Sequence, residues 1–530
     1  MQHSELAPAP TQRPFDARNT PGQFSPYAGT ADACEKAVNV VTWSRALGSY
    51  FGEVWLVRLI LQRGIAALYG IAFLNALNQF RALLGERGLL PVPDYLKRVR
   101  FWQAPSVFHF GYSDRVFAVV AWAGLGLSVA AVTGLSESGP FWLSIAVWLT
   151  LYALYLSIVN VGQTFYGFGW ESMLLEAGFF AAFLGPKSLA PALSPILALR
   201  WLLFRVELGA GLIKLRHDPC WRDLTCLYYH YETQPLPNPL SWHFHQFPKP
   251  VQRLSVLFSH FVQIVVPFGL FAPEPVAAIA GALIILHQLL LIVSGNYAWL
   301  NWLTVVLGVA AFNDRTLGAG TAFVPALPEP RPLIFDLISY ALALGTVVLS
   351  VKPTLNLFSK AQAMNASYNP FHLVGSYGAF GSITRKRHEI VLEGTDEQDI
   401  SEHTIWREYQ FKGKPSDPSR RPPQWAPYHL RLDWLMWFLP LRMIPSATRT
   451  RIRHERWFAR LAEKLLEGDR ATLALLRSTP FATRPPTHIR ASIFSYQFTS
   501  RLERKQTGLI WKRTRVGEYL PPIALPSAPT

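Results

Sequence analysis

Cysteine is scarce in this chain: Cys34, Cys220 and Cys226 are the three among 530 residues, too few for the disulfide framework that holds small secreted domains together. For the neighbouring pair Cys220 and Cys226, two buried thiols in an aromatic loop are preferred over one bond. A metal site built from His217, Cys220, Cys226 and His230 matches no common zinc spacing, so neither a metal nor another cofactor is expected. Acidic residues are also sparse, 34 against 50 Lys and Arg. Residues 1–53 are polar and proline-bearing and lack the short apolar core of a cleavable signal, so the first hydrophobic helix is expected to serve as its own anchor. Beyond Lys352 no apolar window of spanning length occurs.

Apolar residues, by contrast, make up half of the chain, with 18 Trp and 34 Phe, a profile too hydrophobic for an ordinary soluble enzyme. Windows of about 20 apolar residues, the length that crosses a hydrocarbon core, fall at 54–79, 116–135, 140–162, 171–185, 196–215, 254–272, 276–294, 297–312 and 333–351. The fourth and eighth are short, so seven to nine spans are expected. The predicted fold is a multi-pass α-helical membrane bundle over 54–351, interrupted by a loop at 216–253, followed by a soluble α+β or mainly β domain over 352–530. In the latter, "HEIVLEG" and "HIRASIFSYQFTSR" read as strands, "RHERWFARLAEKLLEGDRATLALLR" as helix, and "KGKPSDPSRRPPQWAPY" as a surface loop.

Residues 352–530 carry 28 Lys or Arg against 15 Asp or Glu. These charges are scattered among acids rather than gathered on one helix or an aromatic platform, which argues for the lipid bilayer as partner and against nucleic acid.

The most informative charges lie inside the fifth span. A heptad spacing returns to nearly the same helix face, so Arg200, Glu207 and Lys214 form one stripe, with Arg205 off it. Ionisable groups at membrane depth face a partner or a wet cavity, so the stripe should point into the bundle. One reading pairs these charges structurally with Glu171 and Glu176 of the fourth span. The other makes Lys214, with Glu207, catalytic, because a lysine taken out of water beside an apolar cavity can serve as base or nucleophile. Gly209, Ala210 and Gly211 permit close helix approach or let a ligand reach the backbone. The loop that follows, with Asp218, Cys220, Trp221, Cys226, Tyr231 and Glu232, would act as a lid.

Five blocks carry a resemblance: "VGQTFYGFGWESMLLEAGF" (161–179), "GAGLIKLRHDPCWRDLTCLYYHYETQPLPNPLSW" (209–242), "SGNYAWLNWLT" (294–304), "NPFHLVGSYGAFGSITRKRHEIVLEGTD" (369–396) and "PYHLRLDWLMWF" (427–438). In content and order they resemble the lipase maturation factor family. The resemblance implies a multi-pass membrane protein of the endoplasmic reticulum, or of the cytoplasmic membrane for a bacterial member, that helps secreted homodimeric lipases fold and assemble. It implies further that the carboxyl-terminal domain engages a client lipase or other secreted protein. A shorter stretch, "AGLIKLRHDPCW" (210–221), is similar to the surroundings of the catalytic lysine of the vitamin K-dependent carboxylase, with Lys214 at that lysine.

Two functions therefore compete: a folding factor without covalent chemistry, and a membrane enzyme acting on a lipid-soluble substrate with Lys214 as base. The chain is not itself expected to be a lipase, since no Gly-x-Ser-x-Gly elbow occurs. A transporter is a third option, but the bundle shows no internal repeat. For client binding the candidates are Tyr377 and Phe380, set among Gly375, Gly378 and Gly381, together with Trp425 and Trp434. The alternative for the glycine stretch is a structural hairpin, and for the tryptophans a place at the bilayer interface.

Overall fold

Each apolar window becomes helix in the computed structural model, which describes residues 52–318, 322–324, 328–442 and 454–526. Cys34 and nearly all of the polar segment 1–53 lie outside these residues. Among the described residues, six helices are long and apolar enough to cross a membrane: α1 (Trp55–Leu84), α2 (Asp114–Thr133), α3 (Phe141–Val161), α6 (Lys249–His260, extended through a π turn and a 3₁₀ turn to Phe271), α7 (Val276–Ser294) and α9 (Leu333–Phe358). The other three windows are helical but differ in kind. Helices α4 (Gly169–Ala181) and α8 (Leu300–Gly308) are short and largely buried, whereas α5 (Leu193–Arg216) is long enough to span but carries the charges noted above.

Helix ends follow from local chemistry. Ser113 caps α2 through its hydroxyl, which accepts from the Val116 N–H, and Gly134 closes the helix at φ +87°, a conformation open to glycine. Helix α1 lacks a local cap and takes a remote one instead: the buried Asp314 carboxylate accepts from the N–H groups of Trp55, Leu56 and Val57 at 2.7, 3.0 and 3.3 Å. A carboxylate on three free amides at the positive end of a helix dipole is a strong terminus. The π turn at Phe261–Val265 sits directly before Pro267, whose missing N–H leaves the regular helical ladder unable to continue.

Beyond α9 the chain forms a four-stranded antiparallel sheet of order β2-β1-β3-β4, with β1 Arg387–Thr395, β2 Arg407–Glu408, β3 His488–Phe498 and β4 Trp511–Ile523. The register pairs Arg387 with Tyr496 and Thr395 with His488, and three irregularities bend β3 against β4. Helix α10 (Arg431–Phe438) lies between sheet and bundle, and α11 (Arg456–Leu466) packs on β3. The predicted strands are β1 and β3, and the predicted helix is α11. Strand β4 escaped the sequence reading because it is an edge strand with Lys512, Arg513 and Arg515 and two prolines, the composition that keeps an exposed edge from pairing further.

Bundle and sheet share one hydrophobic cluster that runs from Tyr69 and Leu203 through Trp434 to Ile390 and Leu461. Replacing the remote cap in Asp314→Ala is expected to cost about 1–2 kcal/mol, the range for loss of a capping side chain, read as a lower unfolding midpoint in detergent with unchanged helical content.

Candidate functional site

The short helix α4 carries two buried carboxylates, and neither meets the stripe of α5. Glu176 pairs with Arg205, the arginine off the stripe, and also accepts from the Gly375 N–H at 3.1 Å and the Tyr377 hydroxyl at 2.8 Å. Glu171 pairs at 2.7 Å with Arg431 of α10 and accepts from the Tyr155 hydroxyl. Arg200 reaches backbone oxygens of Ala310 and Leu270. The expected pairing of the stripe with Glu171 and Glu176 is thus corrected, because their partners come from the other face of α5 and from the carboxyl-terminal region.

Arg431 is the best-served cation in this network. Its Nε donates to Asn75 at 3.0 Å, one terminal nitrogen donates to the Phe165 carbonyl at 2.8 Å, and the guanidinium stacks 3.4 Å from the Tyr166 ring centre. Asn75 and Gln79, one turn apart on α1, also donate to the His429 carbonyl at 2.6 and 2.7 Å. Sequence reasoning missed Arg431, His429, Asn75 and Gln79. The available signal was two amides at i, i+4 within an apolar span, which is rare unless a polar partner docks there.

The loop after α5 is what binds sheet to bundle. Cys220 and Cys226 are joined as a disulfide, which corrects the preference for free thiols: the short helix at Pro219–Arg222 turns the chain back so that the two sulfurs meet. The bond removes both sulfurs from metal ligation. Asp218 accepts from the N–H groups of Cys220 and Ile383 at 3.0 Å each and from Arg385 at 2.7 Å. Burial works against it, but these donors hold the Asp218 carboxyl down to about 2. Glu232 accepts from the Phe498 N–H at 2.7 Å, and Arg387 of β1 donates to the carbonyls of Glu232 and Pro235. Asn296 accepts from the N–H groups of Trp425 and Ala426 at 2.8 and 2.9 Å.

The residues expected on a client-binding ridge lie elsewhere. Tyr377 and Trp434 are buried, Phe380 and Trp425 are half-buried, and Tyr377, Phe380 and Trp434 line the internal cavity beside α5 rather than an outer ridge. The glycine stretch is no hairpin but irregular chain running along α5. A Cβ on Gly209 would collide with the Tyr377 carbonyl, and one on Gly211 would sit 3.0 Å from the Gln263 carbonyl. The small residues before Lys214 therefore admit backbone from two other segments.

Around them lies a cavity of about 1000 Å³. Its floor holds Glu207 and Lys214, which are not paired with each other. Gln288 donates to Glu207 at 2.6 Å, and Lys214 donates at 2.5 Å to Gln263, in the π turn of α6. Lys214 Nζ lies 5.3 Å from the centre of the Trp221 ring, and the Trp221 indole donates to the Phe380 carbonyl. Tyr231, His230 and Phe244 of the loop line the cavity. The His230 ring lies 2.9 Å from the Tyr297 hydroxyl.

A helical bundle with several apolar helices of spanning length and charged groups turned inward defines an integral membrane protein. Comparison with known proteins gives the family. Residues 56–319 match the lipase maturation factor transmembrane domain and residues 373–521 the lipase maturation factor C-terminal domain. Similar proteins include lipase maturation factor 1 of Mus musculus, 41% identical over 517 residues covering 89% of this chain and 88% of that one. The Homo sapiens counterpart is 41% identical over 511 residues, 89% of each chain. Lipase maturation factor 2 of Rattus norvegicus is 29% identical over 606 residues, 88% of this chain and 83% of that one. No solved structure matches the chain. The chain belongs to the lipase maturation factor family.

Two predictions test the site's energetics. Arg431→Ala leaves Glu171 buried without its cation and is expected to cost about 3–5 kcal/mol, as breaking a buried pair does; a paired Glu171→Gln, Arg431→Met change should recover part of that loss in thermal unfolding. Burial holds His429 down to about 4 and His230 to about 3. Unfolded histidines take up protons below about pH 6.5 whereas these stay neutral in the folded chain, so each contributes stability that is complete above that pH. That stability falls by about 1.4 kcal/mol per unit as pH drops towards 4. Asp218 acts only lower, its contribution being lost as pH falls from about 3.8 through about 2. The unfolding midpoint should therefore drop between pH 7 and 5, and His429→Gln should make that fall shallower by up to about 1.4 kcal/mol per pH unit.

Proposed function

We propose that this protein is a maturation factor for secreted lipases, resident in the endoplasmic reticulum membrane. In this reading residues 54–351 anchor it, and residues 352–530 engage apolar surface exposed on an incompletely assembled client. The observation that carries the proposal is the match of both family domains, in order, together with 41% identity across 89% of the chain to proteins named lipase maturation factor 1.

The geometry favours a holding role. The sheet is tied to the bundle by Glu171–Arg431, by Asn296 and by the loop contacts of Arg387, so client-facing and membrane-embedded parts move as one body. A rigid platform loses little conformational entropy on binding, which suits transient capture of a loosely folded partner. No covalent step is required.

The test is co-expression with a secreted homodimeric lipase in cells lacking an endogenous maturation factor. Lipase specific activity in the medium should rise several-fold with the intact chain, and Arg431→Ala, which undocks the sheet, should abolish most of that rise. A chain that inserts and folds yet leaves lipase activity at background would refute the reading.

A further inference from the structure

The cavity beside α5 reaches the surface at His217 and Ser382 and also, on another side, at apolar residues of two membrane-length helices. On that apolar side the exposed lining residues are Phe247, just before α6, Val251 and Leu254 in its first turns, and Leu290 of α7, 41%, 44%, 66% and 43% exposed respectively. Helices α6 and α7 are both of membrane-spanning length and composition, and their outer faces continue apolar through Leu257, Phe261, Val265, Ile279, Leu286 and Val293. In an integral membrane protein such a surface faces acyl chains. The mouth is therefore a lateral portal between two spans, and lipid-soluble molecules can reach the interior without crossing water.

The interior is graded. Behind the apolar mouth lie Phe258 and Leu291, and at the floor lie Glu207, Lys214, Ser259, Gln263, His287 and Gln288. Three of these groups point to a ligand, since Glu207 Oε2, Gln288 Oε1 and His287 Nδ1 are buried without a hydrogen-bond partner among the described residues. Gln288 uses its NH₂ on Glu207, and its Oε1 has no hydrogen-bond partner among the described residues although the side chain is buried. His287 shares Nε2 with the Ser259 hydroxyl at 3.1 Å, while its Nδ1, equally buried, is likewise without a partner. Buried polar atoms left unsatisfied in this way cost free energy unless something fills the site. Gln288 Oε1 requires a donor. His287 Nδ1 requires a donor or an acceptor according to which tautomer the serine selects. A hydroxyl serves both.

Charge narrows the choice. Among the described residues, Glu207 and Lys214 are the only carboxylate and ammonium groups lining the cavity, so its floor balances to zero. A phosphate-bearing head would bring its negative charge beside Glu207 with a single lysine to offset it, whereas an uncharged head meets no such penalty. At about 1000 Å³ the space lies at the upper end of small-molecule sites, enough for a polar head and a substantial hydrocarbon body. We infer that this cavity binds an uncharged, hydroxyl-bearing membrane amphiphile, which enters between α6 and α7 and places its hydroxyl against Gln288 and His287. The inference does not depend on the maturation role.

Purified full-length protein in nanodiscs should be irradiated with diazirine probes of three kinds: a monoacylglycerol, a sterol, and a phosphatidic acid with the same acyl chain as the first. The two neutral probes separate the glyceride and sterol sources of the same chemistry. At least one should label peptides from residues 207–217 and 249–294 five-fold or more above the phosphatidic acid, and excess unlabelled lipid of the same kind should remove that labelling. Leu254→Trp, which narrows the mouth, should reduce it at least three-fold, whereas Leu257→Trp, on the lipid-facing side of the same helix, should leave it unchanged. Equal labelling by the charged probe, labelling that excess lipid does not compete, or Leu254→Trp indistinguishable from wild type would each overturn the inference. The competition arm on the wild-type chain decides the matter even if a tryptophan variant fails to fold.

Discussion

The pair of carboxylates on the short helix α4 organises the molecule. Glu171 and Glu176 are five residues apart, and at about 100° per residue they point in directions roughly 140° apart. One therefore reaches Arg431 from the carboxyl-terminal domain, and the other reaches Arg205 of α5 together with the backbone at Gly375. A single 13-residue helix thus holds the membrane helix α5, the irregular chain at 375–377 and helix α10 in one arrangement. Buried ion pairs add little net stability over well-packed apolar residues, but an unmatched member is severely disfavoured. Their effect is to make one docking of the sheet on the bundle far better than any other, since any shifted arrangement strands a charge in the core.

The same logic accounts for the polar, proline-bearing chain after α5. A loop bearing so many hydrogen-bonding groups would ordinarily be solvated. Here it lies between bundle and sheet, and its backbone carbonyls at Glu232, Gln234 and Pro235 converge on the buried guanidinium of Arg387. Prolines suit that position because they have no N–H to satisfy while their carbonyls still accept. The disulfide between Cys220 and Cys226 closes the first turn of this segment, next to Asp218, which fixes Arg385 and the start of the sheet domain.

How far the sequence revealed this depended on whether a feature was periodic or relational. Apolar windows located every helix of the bundle, and alternating β-branched and aromatic residues located β1 and β3, because burial imposes a period on one chain segment alone. The heptad stripe correctly placed Glu207 and Lys214 on one inward face. It did not show whom they or Glu171 and Glu176 would meet, because Arg431 lies 260 residues from Glu171 and no local pattern links them. The ridge assigned to Tyr377 and Trp434 failed for the same reason: large aromatics look alike in sequence whether they cover a surface or fill the space under a docked domain. Strand β4 was hidden by the very charges that protect its edge.

Glu207 and Lys214 differ from the buried ion pairs of the core in that two opposite charges share one cavity without pairing. Seven residues along a helix separate their backbones by about 10.5 Å, too far for direct contact without both side chains bending together, and the structure instead gives each its own partner, Gln288 for Glu207 and the Gln263 amide for Lys214. That amide comes from the π turn of α6, where the widened backbone brings an extra side chain to the face that meets Gly211. Had the sequence required only neutrality, a spacing of three or four residues would have joined the charges into one pair. Holding them apart keeps a positive and a negative end on the cavity floor, with donors and acceptors spread between. In the bundle's low-dielectric interior such a floor is attractive to a dipolar, uncharged group and unfavourable to a net charge of either sign. The separation therefore does what a tight pair would not: it leaves the cavity polar enough to orient a ligand, and neutral enough to be selective about which.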